Sequence, residues 1–172
     1  MAVIVKNRQI ATDTWRLLKA GADGVLPPVP TAGDVIVPLA VWSTQRDALS
    51  SRSGRLGVWL DSHEDPARVA NDLRHFALIA VNFPALGDGR GYSIARLLRE
   101  RHGWHGELRA IGHVIRDVLF GLSRCGFDSF ALREGEDAQA ALPAFNDFSA
   151  TYQTLVARPP PPQELIARAN CA

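Results

Sequence analysis

Three glycines fall within five residues at Gly87-Asp88-Gly89-Arg90-Gly91, directly ahead of Tyr92 and Ser93. Glycine admits positive φ and lets backbone amides approach a ligand closely. A helix starting just after such a loop adds free N–H groups and a partial positive charge. Arg90 brings a guanidinium whose fork matches an oxyanion. Gly89, Arg90, Gly91, Tyr92 and Ser93 are therefore candidate binding residues for a small oxyanion. Neither common nucleotide loop is present. The dinucleotide pattern needs glycine where Tyr92 stands, and the phosphate-loop pattern lacks its Lys-Ser/Thr ending. The same residues also fit a tight turn closed by the Asp88 side chain, with Arg90 paired to a neighbouring acid.

A second group is Gly112-His113-Val114-Ile115-Arg116-Asp117. His113 can act as acid or base near neutral pH. On a helix beginning near His113, Arg116 and Asp117 are three and four residues on and can neighbour it. Asp117 would then orient the imidazole, and Arg116 would join the anion site. The alternative is a structural, hydrogen-bonded histidine. Asp61, in Asp61-Ser62-His63, and Asp88 complete the catalytic candidates, as carboxylates able to handle a proton.

Other chemistry is poorly served. The two cysteines, Cys125 and Cys171, form neither a disulfide framework nor a metal cluster. Cys125 falls at a helix C-terminus, where the dipole disfavours a thiolate, so a buried, inert role is expected. No metal site, hydrolase elbow or cofactor fingerprint is evident. Trp15, Trp42, Trp59 and Trp104 are scattered, which suits packing better than base stacking.

These groups need a scaffold. The 172 residues, 47% hydrophobic and 22% charged, suit one globular domain. A net charge of +1 gives no field that would attract nucleic acid or a membrane surface. No apolar run has membrane-spanning length. The N-terminus, Met-Ala-Val-Ile-Val-Lys-Asn-Arg, lacks secretory-signal features, so a cytoplasmic setting is expected.

Short apolar runs at 35–39, 56–60, 78–81, 108–111 and 129–132 alternate with helical patterns at 41–52, 66–76, 93–102, 114–125 and 137–156. Asp65-Pro66 supplies an N-cap and first-turn proline. Ser93 is read as the next cap, with Ile94, Leu97 and Leu98 inward and Arg96, Arg99, Glu100 and Arg101 outward. Gly103 and Gly126 read as stops. The expected fold is α/β, with about five repeated βα units and a mainly parallel sheet. It is either an open three-layer sheet or a partial barrel, since both use the same unit. Residues 1–157 form the domain, with 1–34 a hairpin-like appendage and 35–157 the βα units. Residues 158–172 read as a Pro-rich flexible tail around Pro159–Pro162. In such folds ligands gather beyond the carboxyl ends of the strands, where the candidate residues fall.

The combination of Leu56-Gly-Val-Trp-Leu60, Ala80-Val-Asn-Phe-Pro84, Asp88-Gly-Arg-Gly-Tyr-Ser93, Leu97-Leu-Arg-Glu-Arg101, Gly106-Glu-Leu-Arg-Ala-Ile-Gly112 and Arg124-Cys-Gly-Phe-Asp128, in this order, resembles the bacterial family catalogued as domain of unknown function 934. The resemblance extends to Val3–Arg8, Asp13-Thr-Trp15 and Val37-Pro-Leu39. Proteins of this kind are often labelled oxidoreductases and are similar to products encoded beside the haem-containing sulfite reductase of assimilatory sulfate reduction. The resemblance therefore implies a cytoplasmic accessory role in sulfite reduction, with the sulfite reductase haemoprotein as partner and homo-oligomerisation open. A small oxyanion-binding protein or enzyme built on residues 87–93 is the alternative. Redox catalysis comes third, because no flavin or nicotinamide site is evident. The chain departs from the family pattern at His113, usually an acid, and at Val118, usually glutamine. That weakens His113 as a shared catalytic group.

Overall fold

The computed structural model describes residues 2–20, 25–26 and 28–148. The Pro-rich stretch 158–172, Cys171 and the end of the helical pattern running to 156 lie outside them.

Among the described residues eight strands form one mixed sheet: β1 (Val3–Lys6), β2 (Gln9–Thr12), β3 (Arg16–Leu17), β4 (Val35–Pro38), β5 (Leu56–Leu60), β6 (Leu78–Phe83), β7 (Glu107–Gly112) and β8 (Ser129–Phe130). Their spatial order is β2-β1-β8-β7-β6-β5-β4-β3. Strands β3 to β8 are parallel neighbours in sequence order, while β1 runs antiparallel to both β2 and β8.

This order requires curvature. Strands β2 and β3 are the two edges, yet only Asp13, Thr14 and Trp15 join them. A flat sheet of eight strands would set its edges about 33 Å apart. The linker between Thr12 and Arg16 spans at most about 15 Å. The sheet therefore curls until its edges are within reach of that linker. The N-terminal hairpin is part of this sheet rather than an attachment packed on it, and its neighbour β3 supplies the far edge.

The helices of the described residues lie on one face. They are α1 (Leu39–Ser50), a 3₁₀ helix at Pro66–His75, α2 (Arg90–Arg96) continued by a π-helical turn at Leu97–Arg101, α3 (Leu119–Arg124) after a 3₁₀ turn at Arg116–Val118, and α4 (Ala138–Ala141) followed by a 3₁₀ stretch at Leu142–Asn146. Their buried residues, including Trp42, Val69, Ile94, Leu98, Leu122 and Phe145, pack with Val35, Val37, Val58, Ile79, Val81, Ala110 and Phe130. Successive strand residues point to opposite faces. Accordingly Ile36, Leu78, Ala80 and Ile111 form a second cluster with Trp15, Leu17, Trp59 and Ala131. Among the described residues no helix covers this cluster, and its first four residues are buried inside the curl of the sheet. Eight curled strands leave an interior just wide enough for side chains to fill.

A sheet wound in one direction, with helices on one face, is not the open three-layer arrangement. Doubly wound sheets reverse strand order and carry helices on both faces.

Several local details differ from sequence expectation. Asp65 does cap its helix, its Oδ1 accepting the Ala67 N–H at 2.9 Å, but the helix is 3₁₀. Ser93 does not cap α2. The Asp88 carboxylate accepts the Arg90 N–H at 3.1 Å, so the helix starts three residues earlier, at Arg90. The π-helical turn then shifts the helical phase: Leu97 becomes exposed and Arg99 turns inward, opposite to the simple helical reading.

Candidate functional site

The C-terminal ends of β5 and β6 bring two predicted segments together, Asp61-Ser62-His63 and the Asp88 loop. Asp61 follows β5, and its Oδ1 accepts from the Asn82 amide of β6 at 3.1 Å and from the Ser62 N–H at 2.8 Å. The Asp61 N–H donates to Glu64 Oε2 at 2.8 Å. His63 Nδ1 lies 3.6 Å from Asp61 Oδ2. Ser62 is buried, and its side chain faces Asp88 in the loop after β6, lowering that carboxyl. Thus Asp61 and Asp88 both lie against the Ser62 turn, which joins the β5 and β6 loops.

Arg90 is committed within this cluster. Its Nε donates to Asp88 Oδ1 at 2.9 Å and its Nη2 to Oδ2 at 2.7 Å. The Arg90 guanidinium, followed by the Ser62 hydroxyl, holds the Asp88 carboxyl far below the usual range, and Asp88 reciprocally raises Arg90. Such a carboxylate is acceptor-only at every ordinary pH. The arrangement is the Asp88-closed turn with a paired Arg90.

The glycines have other reasons than ligand approach. None of Gly87, Gly89 and Gly91 adopts a positive φ. A Cβ on Gly91 would overlap the Phe83 ring, so this glycine lets α2 sit directly on β6. Tyr92 packs edge-on against the same Phe83 ring, with centroids 5.6 Å apart, and burial raises its phenol. Ser93 lies inside the first turns of α2.

The second group is placed differently. Gly112 has φ +92, and a Cβ there would collide with the Phe83 carbonyl and the Asn82 side chain. His113 is exposed, its N–H donating to the Phe83 carbonyl at 2.7 Å. It is not on a helix. Ile115 is extended and the 3₁₀ turn begins only at Arg116, which removes the spacing expected to place Asp117 beside His113. Asp117 is exposed and lies 3.4 Å from Arg116 Nη1, while Arg116 Nη2 reaches Asp147 at 3.1 Å. Arg116 is therefore tied toward the C-terminal helices and Arg90 toward Asp88.

Sequence reasoning missed Arg99. Its side chain is almost fully buried. Nε donates to the Gly126 carbonyl at 3.0 Å, Nη1 to the carbonyls of Trp104 and Gly106 at 2.7 and 2.8 Å, and Nη2 to Asp128 Oδ2 at 2.9 Å. Asp128 Oδ1 accepts the Leu108 N–H at 3.0 Å. One guanidinium thus joins the Leu97–Arg101, Gly106–Gly112 and Arg124–Asp128 segments. A family model described as bacterial protein of unknown function (DUF934) matches residues 57–162. The chain belongs to this family. No curated protein and no solved structure matches it. The DUF934 match takes in β5 from its second residue, β6 to β8 and every candidate site residue. Three of the segments that mark the family resemblance are joined by the buried Arg99, which gives their joint occurrence a structural basis.

Among the described residues no helix is long and apolar enough to cross a membrane. Nor do three or more His, Cys, Asp or Glu side chains meet there in a group able to hold a metal ion. Burial, its largest cause, pushes the Cys125 thiol up, away from a reactive thiolate.

Proposed function

We propose that this DUF934 protein is an accessory protein of assimilatory sulfite reduction, acting by docking on the haem-containing sulfite reductase. The docking end is the rim at the carboxyl ends of the parallel strands. Five βα units, read from the sequence, would present their loops at this one end. The observation that carries the reading is the Arg90–Asp88 pair. An open oxyanion receptor needs an unsatisfied cation, whereas here the fork of Arg90 already grips a carboxylate. A rim of internally paired charges beside an exposed apolar side chain, Leu86, resembles the polar border and apolar anchor of a protein interface.

Co-purification tests the proposal. The tagged protein should retain the sulfite reductase haemoprotein from cells growing on sulfate. Deleting the gene should slow growth on sulfate or sulfite, with growth on a reduced sulfur source unchanged. No association together with unaltered growth overturns the reading.

The oxyanion-binding alternative at residues 87–93 requires an anion to displace Asp88 from Arg90. Calorimetry with sulfite, sulfate and phosphate tests it. Binding abolished by Arg90→Ala favours that alternative.

A further inference from the structure

A cavity of about 280 Å³ opens at the opposite end of the parallel strands, where α1 and the 3₁₀ helix Pro66–His75 finish. Its walls include Arg52, Arg55, Arg74 and His75. Among the described residues no carboxylate lines it. Such a concentration of guanidinium groups stands out in a chain of net charge +1.

The commitments of these cations differ. Arg55 donates to Asp34 through Nε at 3.0 Å and through Nη2, and is neutralised by it. Arg52 donates to the carbonyls of Pro30, Gly33 and Arg55, so its hydrogen bonds are satisfied but meet no carboxylate. Among the described residues Arg74 has one hydrogen bond, from Nε to His75 Nε2 at 3.3 Å. Among the described residues its two Nη groups meet no acceptor, and no acid pairs with it. Basic residues near helix C-termini commonly cap the final carbonyls. Arg74 makes no such bond, so capping does not account for it. Asp34 offsets Arg55 directly and its charge also reaches Arg52, which leaves Arg74 as the cation without an acid partner among the described residues.

We propose that this cavity is an anion site for a doubly charged tetrahedral oxyanion of the phosphate–sulfate class, with Arg74 as its principal ligand. The Nη edge of Arg74 supplies paired N–H donors to two oxygens of such an anion. Arg52 contributes charge from a position fixed by its carbonyl partners. Two guanidinium groups that donate no hydrogen bond to a carboxylate, Arg52 and Arg74, match a tetrahedral dianion better than a carboxylate monoanion. The site is separate from the Arg90 loop, whose cation is already occupied.

The test is calorimetric titration of the full chain with inorganic phosphate and with sulfate at constant ionic strength, because screening would otherwise mimic specificity. Acetate serves as the planar monoanion. The proposal expects phosphate or sulfate to bind in preference to acetate. Arg74→Gln should weaken that binding about tenfold or more, the scale of a lost charge-assisted bidentate contact. Arg74→Lys should retain part of it, and Arg90→Ala should leave it unchanged. Arg74 is exposed, so its variants are expected to keep the wild-type thermal transition. No preference over acetate, unchanged binding in Arg74→Gln, or loss in Arg90→Ala would overturn the proposal.

Discussion

Arg109 and Asp13 meet inside the curled sheet although 96 positions separate them, with Nη1 of the arginine 2.9 and 3.0 Å from the two carboxylate oxygens. Arg109 lies on β7 and Asp13 in the three-residue link between the sheet's edges. Glu107 Oε1 accepts from the same guanidinium at 2.8 and 3.1 Å, and Ser129 Oγ accepts at 3.1 Å. The second oxygen of Glu107 accepts from Lys6 at 2.6 Å. A buried guanidinium thus ties β7, β8 and the linker, and Glu107 extends the network to the hairpin. Removing one member of a buried charge network costs about 3–5 kcal/mol. Arg109→Ala should lower the free energy of unfolding by that amount in urea. A loss below about 1 kcal/mol would mean that the network does not hold the curl.

Glu107 also sets a pH dependence. Burial raises its carboxyl, but the Lys6 ammonium and Arg109 guanidinium outweigh burial and leave it below its ordinary 4.5. A carboxyl lowered in the folded state contributes fully above its unfolded value and loses that contribution as pH falls through the folded value. Stability should therefore be insensitive to Glu107 titration near neutrality and decline on acidification below about 4.5. Glu107→Gln should start less stable at neutral pH and show a shallower acid decline. Parallel acid limbs in thermal melts of the two proteins would refute this.

Arg99 demands its fork geometry. A lysine at this position retains charge but cannot serve Gly126, Trp104, Gly106 and Asp128 from one plane. Arg99→Lys should cost about 2–4 kcal/mol, through buried acceptors left unsatisfied. Chemical denaturation measures it, and wild-type stability would remove Arg99 as the link between the three segments.

Gly112 predicts a local effect. Its positive φ and the crowding by Phe83 and Asn82 penalise any side chain. Gly112→Ala should destabilise by on the order of 2–3 kcal/mol. It should also perturb the Asn82–Asp61 contact, visible as amide shift changes concentrated at the β5 and β6 strand ends. A neutral substitution would contradict the crowding.

Much of the scaffold was legible because each cue was local. The apolar runs locate β4 to β8, and Asp65-Pro66 marks a real cap. The curl was not legible, because a βα unit looks the same in an open sheet and a barrel. It follows from β2 and β3 forming opposite edges, a long-range fact. The outward reading of Arg99 failed for a local reason: a π-helical turn broke the regular period on which that reading rested. At the candidate site, the tight-turn alternative anticipated the Asp88–Arg90 pair. The His113–Asp117 pairing assumed a helix that begins later. The Arg52–Arg74 cavity joins residues from a helix-end loop and a 3₁₀ helix, with no shared motif to announce it.

In the proposed function the strand-end rim docks on the haem-containing sulfite reductase. The most direct measurement is the affinity of the purified chain for that reductase, compared with Leu86→Asp and Arg74→Gln. Interface anchors typically cost at least about 2 kcal/mol when lost, roughly thirtyfold in affinity. Docking through this rim predicts saturable wild-type binding, a loss of that order in Leu86→Asp, and no change in Arg74→Gln. Absence of wild-type binding, or binding indifferent to Leu86→Asp, would contradict it.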